Sequence, residues 1–269
     1  MNSLLLDRNL ALEAVRVTEI AAIASSFHMG RGNEKAADQS AVNAMRDFLN
    51  DLDINGKVVI GEGERDKAPM LYIGEKVGKG GVSVDIALDP LEGTTITAQG
   101  GENALSVLAI GEEGSFLHAP DIYMKKIAYG YKYENLEIDI NDDPKKIIND
   151  FSKYSGIRQE NIVVCILDRS RHKDLINSVR STGARIKLIP DGDVSAVIAT
   201  SIDDSGIDIY MGTGGSPEGV LAAAALRCLG GKIYTKLIFD NDHSFERAKK
   251  MGIMEKDKIY ETKDLAKEM

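Results

Sequence analysis

Residues 82–95 read V-S-V-D-I-A-L-D-P-L-E-G-T-T, a strand pattern that ends in carboxylates and hydroxyls. Apolar residues alternate with small or polar ones over 82–89, which predicts a β-strand that breaks after Asp89. Asp89 and Glu92 can face one hard cation, and oxygen ligands favour Mg²⁺ or Mn²⁺ over zinc. Gly93 lets the backbone approach an anion closely, and the Thr94 hydroxyl can reach metal and water. The alternative interpretation is an acidic surface turn.

Three more carboxylates occupy positions that need an explanation. Asp38 falls on the core-facing stripe of a helix predicted over 37–50, where a buried carboxylate needs a partner. Glu62 follows a strand predicted over 57–60 and lies between two glycines; a solvated turn is the alternative. Glu218 lies in the first turn of a helix predicted over 217–229, where complementing the helix dipole would by itself account for it.

The segment G-T-G-G-S-P-E-G, residues 212–219, joins that helix to a strand predicted over 207–211. Ser216 suits the N-cap and Pro217 the first helical position. We expect the glycines to form an open turn whose N–H groups face an anion. The segment has no P-loop lysine, so we do not predict ATP binding.

Two further loops carry polar residues where predicted strands end. In D-R-S-R-H, residues 168–172, Arg169 and Arg171 can make forked hydrogen bonds to a phosphate, although a surface basic pair is the alternative. His172 is interpreted as a bystander rather than a catalytic base. In I-P-D-G-D, residues 189–193, Asp191 and Asp193 can bind sugar hydroxyls or cap the following helix.

Periodicity over the whole chain predicts an α/β fold. An amphipathic helix is expected over 8–27 and a strand over 104–110, and after about residue 140 helices and strands alternate. The later helices are expected at 145–154, 172–181, 194–201 and 217–229, and the later strands at 162–167, 185–189 and 207–211. The change of rhythm predicts an α+β N-terminal lobe over 1–140 and an α/β C-terminal lobe over 141–269, packed as one compact unit.

Composition excludes several classes of protein. A net charge of −9 argues against a nucleic-acid partner, and no apolar run approaches the roughly 18 residues of a membrane span. The N-terminus M-N-S-L-L-L-D-R has no basic region, so we predict no secretory signal. Cys165 and Cys228 are expected to be buried and unpaired, which fits a cytoplasmic protein.

With these segments together, the chain resembles the class II fructose-1,6-bisphosphatases, within the wider group of lithium-sensitive, metal-dependent sugar and inositol phosphatases. The resemblance extends from about Leu10 to the end. The segments that carry it are R-V-T-E, G-R-G-x-x-x-A-A-D, V-I-G-E-G-E, A-P-M-L-Y-I-G-E-K-V-G, D-I-A-L-D-P-L-E-G-T, A-P-D-I-Y-M-K-K, R-S-R-H, I-P-D-G-D-V and G-G-S-P-E-G.

The resemblance implies a layered αβαβα sandwich and a set of site residues. It implies that the N-terminal lobe binds metal and phosphate and that the C-terminal lobe binds the sugar. The implied ligands of Mg²⁺ or Mn²⁺ are Asp38, Glu62, Asp89, Glu92 and Glu218. The implied substrate contacts are Glu92, Gly93, Thr94, Tyr123, Arg169, Ser170, Arg171, Asp191, Gly192 and Asp193.

The implied reaction is hydrolysis of fructose 1,6-bisphosphate to fructose 6-phosphate and phosphate, a step of gluconeogenesis. Thr94 would position or deprotonate the attacking water with help from Glu62, and direct attack by Thr94 stays open. The alternatives are a sedoheptulose 1,7-bisphosphatase, an inositol-phosphatase-type activity or a non-catalytic homologue that binds sugar phosphate or metal. We expect a homo-oligomer, a dimer or a tetramer.

Two segments depart from the family pattern. Family members have G-R-G-D-K-N where this chain has G-R-G-N-E-K, so Glu34 takes the place of a lysine and Lys35 follows it. A basic contact to the reacting phosphate is therefore shifted or absent. The end of the chain, E-T-K-D-L-A-K-E-M, has the pattern of the middle of an amphipathic helix, whereas family members continue with a further segment.

Overall fold

The structure, a computed structural model, describes the backbone of residues 8–63 and 70–267 and the side chains of these ranges from Leu10 onward. Several predictions fall outside the described residues. These are the absence of a leader peptide at the N-terminus, Glu64 of G-E-G-E, Ala68 and Pro69 of the next motif, and the last two residues. The chain divides into two compact units, with the division between Phe116 and Leu117.

The first unit is a four-stranded sheet with three helices. Its elements in chain order are α1 (Arg8–Ser26), α2 (Glu34–Leu49), β1 (Ile54–Ile60), β2 (Lys76–Val77), β3 (Val82–Glu92), α3 (Thr94–Gln99) and β4 (Leu105–Gly111). The strand order is β2-β1-β3-β4, with β1 parallel to β3 and the other neighbours antiparallel. The carboxyl ends of β1 and β3 therefore meet at one edge of this sheet.

Helix α2 packs on this sheet through the stripe predicted for it. Its buried residues include Val42, Met45 and Leu49, which join the first unit's apolar core. Asn33 caps the helix, because its side-chain Oδ1 accepts a hydrogen bond from the Ala36 N–H at 3.1 Å. The cap explains why the chain turns into a helix directly after the G-R-G segment.

Strand β3 is longer than predicted. It does not break at Asp89 but continues to Glu92, with an irregularity in its pairing to β4. Asp89 pairs with Val107 and Glu92 with Leu105, so β3 uses three steps where β4 uses two. One extra residue in β3 is the signature of a β-bulge, and the bulge accommodates Pro90 within the strand.

The second unit is a six-stranded sheet with helices. Its elements are β5 (Tyr123–Tyr129), α4 (Pro144–Ser155), β6 (Val163–Leu167), α5 (Lys173–Arg180), β7 (Arg185–Ile189), α6 (Asp193–Ala199), β8 (Ile209–Gly215), α7 (Ser216–Leu229), β9 (Lys232–Leu237), α8 (Asp242–Lys250), β10 (Ile259–Glu261) and α9 (Thr262–Leu265). The order is β10-β9-β5-β8-β6-β7. An apolar core cluster that includes Phe151, Val164 and Ile209 lies in this unit.

The strand directions gather several loops at one edge of this sheet. Strand β6 is parallel to both β7 and β8, so the carboxyl ends of all three lie together. Strand β5 runs antiparallel to β8, with Tyr123 opposite Gly215, so β5 starts at the same edge. The segments that follow β6 and β7 are two of the loops that the sequence singled out, and the third, G-T-G-G-S-P-E-G, runs from the end of β8 directly into α7.

The predicted α/β fold is confirmed, because each unit combines a sheet with helices. The lobe boundary at residue 140 stays a prediction; by packing, the chain divides after Phe116, and Tyr123–Tyr129 belongs to the second sheet. The amphipathic helix expected at the chain end was wrong in extent, since α9 covers Thr262–Leu265 only.

Two local predictions in the second unit were also wrong. The G-T-G-G segment is not an open turn but the end of β8, because its backbone pairs with β5. Ser216 is the first residue of α7 rather than its N-cap, since its hydroxyl donates to the carbonyl of Pro120 instead. Cys165 is buried as predicted, whereas Cys228 is exposed, and neither forms a disulfide.

No helix in the described part of the chain combines the length and the apolar character that crossing a membrane requires.

Candidate active site

The first group of predicted site residues lies at the end of β3. Asp89 and Glu92 have carboxylate oxygens within 4.8 Å of one another, with Glu92 buried and Asp89 half-buried. Residues three apart in a regular strand point to opposite faces, so the bulge is what brings both carboxylates to one side. The Leu91 N–H donates to Asp89 Oδ1 at 3.0 Å and fixes that side chain.

Gly93 and Thr94 follow this pair directly. Gly93 has a φ of 91°, in the left-handed region, and precedes the first residue of α3, Thr94. The N–H groups of Gly30 and Gly32 donate to the carbonyls of Thr97 and Ala98 at 2.9 and 2.8 Å. The loop that holds the family difference is therefore attached to the helix that presents Thr94.

Asp38 and Glu62 form a second acidic pair in the first unit. Burial raises the pKa of the Asp38 carboxyl above its usual value. Burial, and then the like charge of Asp38, raise the pKa of Glu62 to about 7. The structure therefore places these carboxylates where their own charge is disfavoured, which a bound cation would relieve. Neither residue belongs to the close group formed by Asp89 and Glu92 among the described side chains.

Glu34 and Lys35, the two residues of the family difference, are both exposed in the first turn of α2. Asn33, at the place of the family's aspartate, keeps the capping role that an aspartate can also fill. The substitution pattern thus preserves the helix start, while it changes the charge of the first turn.

In the second unit, Arg171 contacts both Tyr123 and β8. Its guanidinium lies 4.7 Å from the centre of the Tyr123 ring, and its Nε donates to the Thr213 carbonyl at 2.9 Å. Both Tyr123 and Arg171 are exposed, so the guanidinium is held in place and still open to an anion. Tyr123 was implied by the resemblance alone, and its place at the start of β5 puts it beside the predicted arginine.

Arg169 and Asp191 form an ion pair across the neighbouring loops. Arg169 Nη2 lies 3.5 Å from Asp191 Oδ1, and both side chains are half-buried. Ser170 is exposed at the start of a short 3₁₀ turn, Ser170–His172. Gly192 has a φ of 83° and caps α6, a conformation that favours glycine. The structure thus brings the two predicted loops into direct contact.

His172 makes structural hydrogen bonds to the backbone, consistent with its interpretation as a bystander to the chemistry. Its Nδ1 lies 2.7 Å from the Leu167 carbonyl, and its Nε2 accepts from the Thr213 N–H at 2.8 Å. A carbonyl only accepts, so Nδ1 carries the hydrogen and the ring is neutral. Burial lowers the pKa of this imidazole. His172 and Arg171 together hold both sides of the Thr213 residue.

Asp193 does not cap α6 through its side chain but forms a buried ion pair. Lys126 Nζ donates to Asp193 Oδ2 at 2.7 Å, and the Tyr210 hydroxyl donates to the same oxygen at 3.2 Å. Lys126 is 0 % exposed and Asp193 5 %. Lys126 was missed by the sequence analysis, because two adjacent lysines look like surface residues and give no strand pattern.

Glu218 lies in the first turn of α7, with its side chain folded back over β8. A Cβ on Gly215 would overlap Glu218 Oε2, and a Cβ on Gly214 would overlap Asp193 Oδ2. The glycines therefore make room for two carboxylates, rather than exposing N–H groups to an anion. Glu218 Oε2 is buried and has no hydrogen-bond partner among the described residues. Burial raises the pKa of Glu218, while the charge of Lys126 opposes the rise.

The predicted ligands in each unit have the donor chemistry that a hard divalent cation prefers. Asp38, Glu62, Asp89 and Glu92 in the first unit and Glu218 in the second offer only carboxylate oxygens, the ligands that Mg²⁺ and Mn²⁺ prefer. A buried carboxylate oxygen without a donor, as in Glu218, is costly unless a cation or another donor satisfies it.

Comparison with known proteins shows which family this chain resembles. A family model described as bacterial fructose-1,6-bisphosphatase, glpX-encoded, matches residues 8–269. Many curated proteins match as well, among them relatives that carry the name D-fructose 1,6-bisphosphatase class 2/sedoheptulose 1,7-bisphosphatase.

Three relatives illustrate the extent of the similarity. The protein from Synechococcus sp. (strain RCC307) is 44 % identical over 275 aligned positions, which cover 97 % of this chain and 82 % of the relative. Those from Trichodesmium erythraeum (strain IMS101) and Synechocystis sp. (strain ATCC 27184 / PCC 6803 / Kazusa) are each 42 % identical over 286 positions, which cover 97 % of this chain and 83 % of the relative.

Proposed function

The chain belongs to the bacterial fructose-1,6-bisphosphatase family, and on this premise we propose that it hydrolyses fructose 1,6-bisphosphate to fructose 6-phosphate and inorganic phosphate. It is a phosphoric monoester hydrolase that acts with a divalent metal. The observation that carries the proposal is the Asp89–Glu92 pair at the β3 bulge, followed directly by Gly93 and Thr94. Gluconeogenesis is the corresponding role in metabolism.

The proposed metal is Mg²⁺ or Mn²⁺, and its ligands are Asp38, Glu62, Asp89, Glu92 and Glu218. When bound, the metal neutralises phosphate oxygens and stabilises the leaving alkoxide. The raised pKa values of Asp38, Glu62 and Glu218 support this assignment, since each carboxylate gains a favourable partner when a cation binds.

Thr94 and Glu62 carry the chemical step in this proposal. The Thr94 hydroxyl orients the attacking water toward the C1 phosphorus, and Glu62 accepts the proton that the water loses. Burial and the charge of Asp38 disfavour the ionised form of Glu62, which supports its role as the proton acceptor. Gly93 and the carboxylate of Glu92 complete the surroundings of the scissile phosphate.

The second unit supplies the contacts to the sugar and the distal phosphate. Arg171, held against Tyr123 and the Thr213 carbonyl, and Arg169, paired with Asp191, provide the positive charge for a phosphate. Asp191 and Asp193 accept hydrogen bonds from sugar hydroxyls, while Ser170 and Gly192 shape the two loops. Two arginines on one loop favour a substrate that carries a second phosphate.

Sedoheptulose 1,7-bisphosphate is a second candidate substrate. Relatives at 42–44 % identity carry the double name of fructose and sedoheptulose bisphosphatase. Both sugars place a phosphate at C1 and another at the far end, so one arrangement of arginines and carboxylates can bind either. We propose that both bisphosphates are hydrolysed.

Assembly and location are part of the same proposal. Helix α1 carries the exposed apolar side chains Leu12, Val15 and Ile23, and the exposed Phe27 follows it directly. An exposed apolar stripe of this kind is typical of an interface, and we propose that it contributes to a homo-oligomer, a dimer or a tetramer. Two unpaired cysteines support a cytoplasmic location.

The test is release of inorganic phosphate from fructose 1,6-bisphosphate by protein stripped of metal and then supplied with Mg²⁺ or Mn²⁺. Release that depends on the added metal and disappears in Glu92→Gln supports the proposal. Glu112→Gln makes the same chemical change at an exposed site and should behave like the wild type. Absence of metal-dependent release from folded wild-type protein would contradict it, and a parallel assay with sedoheptulose 1,7-bisphosphate tests the second substrate.

A further inference from the structure

Lys126 is fully buried and has no place in the proposed chemistry so far. It lies on β5 between Met124 and Ala128, which are buried with it. Lysine is almost never fully buried unless its charge is paired. The partner is Asp193, so a residue proposed to bind the sugar is tied to a lysine that the substrate need not touch.

The ion pair is held from three elements at once. Lys126 comes from β5, Tyr210 from β8 and Asp193 from the first turn of α6. Lys126 and Tyr210 donate to the same oxygen, Asp193 Oδ2, at 2.7 and 3.2 Å. Burial raises the pKa of the Tyr210 hydroxyl well above its ordinary value, so it stays a donor. Two fixed donors on one oxygen set the orientation of the whole carboxylate.

Glycines define the space around the pair. A Cβ on Gly214 would overlap Asp193 Oδ2 and lie 3.1 Å from Lys126 Nζ. A Cβ on Gly219 would lie 3.4 Å from Lys126 Cε and would overlap the sulfur of Met124. The G-T-G-G-S-P-E-G segment thus has the glycines that admit a buried lysine and a buried aspartate side by side.

We propose that Lys126 is a positioning residue for substrate binding, acting through Asp193. The inference rests on the proposed function, because it takes Asp193 to be a ligand of the sugar. Lys126 fixes the orientation of the Asp193 carboxylate before the substrate arrives. Its loss therefore weakens substrate binding more than it slows the chemical step.

The test compares Lys126→Met with Lys125→Met. Lys125 is the neighbour on β5, points to the other face of the sheet and donates to the Ile140 carbonyl at 2.5 Å. We expect Lys126→Met to raise KM for fructose 1,6-bisphosphate about tenfold or more, with kcat within about threefold, because the Asp193 carboxylate loses its closest fixed donor. A tenfold change corresponds to about 1.4 kcal/mol. Lys125→Met should leave both constants close to those of the wild type.

A double variant separates positioning from general damage. If Lys126 acts through Asp193, Lys126→Met should add little to the KM of an Asp193→Asn background. Independent multiplication of the two losses would overturn the proposal. Lys126→Arg, which keeps the charge, should recover part of the affinity lost in Lys126→Met. A lower melting temperature with unchanged KM would also overturn it, because that is the pattern of a purely structural ion pair.

Two further variants serve if Lys126→Met does not fold. Tyr210→Phe removes only the second donor to Asp193 Oδ2, and Gly214→Ala places a methyl group that overlaps this oxygen and lies 3.1 Å from Lys126 Nζ. Both should raise KM with kcat nearly unchanged, and an unchanged KM in both would contradict the proposal.

The proposed function can fail separately from this inference. If wild-type protein released no phosphate, the hydrolase assignment would fail. Binding of fructose 1,6-bisphosphate, measured by calorimetry on the same variants, would then decide the role of Lys126. Wild-type affinity in a folded Lys126→Met protein, or in both Tyr210→Phe and Gly214→Ala, would overturn the positioning role of Lys126.

Discussion

The predicted site carboxylates are held differently in the two units. In the first unit, burial raises the pKa values of Asp38 and Glu62, and the charge of Asp38 raises the pKa of Glu62 further. In the second unit, Asp193 is paired with Lys126, and Asp191 with Arg169. Without a cation, burial disfavours the negative charges of Asp38 and Glu62. The negative charges of Asp191 and Asp193 are already paired with Arg169 and Lys126.

This difference indicates which part of the proposed function each unit serves. A bound cation would favour the ionised forms of Asp38 and Glu62, which burial disfavours. A site that must recognise hydroxyls and phosphates benefits from side chains fixed in advance. Glu218 is the exception in the second unit, since one of its oxygens has no partner among the described residues. That is the behaviour expected of a metal ligand.

Thr94→Ala should give the largest effect and should sharpen the comparison. If the first unit acts on the chemical step, kcat should fall by about 10²–10⁴-fold, the range of a lost acid–base or water-positioning group. KM should stay within a few-fold of the wild type. Steady-state assays with saturating Mn²⁺ measure both constants, and a variant near the wild-type rate would remove Thr94 from the mechanism.

Charge removal should change stability in opposite directions in the two units. The raised pKa of Glu62 favours folding fully below its ordinary value of 4.5, and this contribution is lost as the pH rises through about 7. Glu62→Gln should therefore stabilise the metal-free protein at pH 8 by up to about 3 kcal/mol. Asp193→Asn should destabilise it by about 3–5 kcal/mol, because Lys126 loses its counter-charge.

Urea unfolding at pH 5 and pH 8, with and without Mn²⁺, measures both variants. Mn²⁺ should stabilise the wild type more at pH 8 than at pH 5, since protons compete with the metal at Glu62. Loss of stability in Glu62→Gln at pH 8 without metal would break the proposed contrast between the units.

Arg171→Ala should affect binding rather than turnover. Losing a hydrogen-bonded charge costs about 1.5–3 kcal/mol, which corresponds to a rise of about ten- to a hundredfold in KM for the bisphosphate. Fructose 1-phosphate, which lacks the distal phosphate, should be much less affected. Equal losses for both substrates would show that Arg171 does not contact the distal phosphate.

Asn33→Ala should have the smallest effect. Loss of the cap on α2 should lower the free energy of unfolding by about 1 kcal/mol, and Asn33→Asp should be close to neutral because aspartate also caps. Thermal unfolding measures the difference. A large loss of activity in Asn33→Ala, with stability unchanged, would mean that this residue acts in the site and not only at the helix start.

Much of this arrangement could be predicted from periodicity. Alternation revealed β3, and strand–helix rhythm revealed β6, β7 and the loops after them, since apolar spacing reports directly which face is buried. The predicted loop residues Arg169 and Asp191 do meet. Their meeting follows from parallel strands, whose carboxyl ends share one edge.

The failures have physical causes. Strand β5 was not predicted, because adjacent lysines interrupt its apolar pattern and a buried ion pair leaves no local signal. The glycines of G-T-G-G suggested a turn, although here they make room for the side chains of Asp193 and Glu218 within a strand. Such partners are distant in the chain, and pairwise contacts of this kind need the tertiary structure.

The bulge in β3 makes the cation site hard to transplant. In a host strand with a regular ladder, the segment D-P-L-E would leave its two carboxylates on opposite faces, so sequence identity would not carry the site with it. One compensating residue inserted into the facing stretch of β4 would restore the regular ladder and leave Asp89 and Glu92, three residues apart, on opposite faces. The cation site thus depends on the one-residue offset between β3 and β4, and a related protein keeps the site only where it keeps that offset.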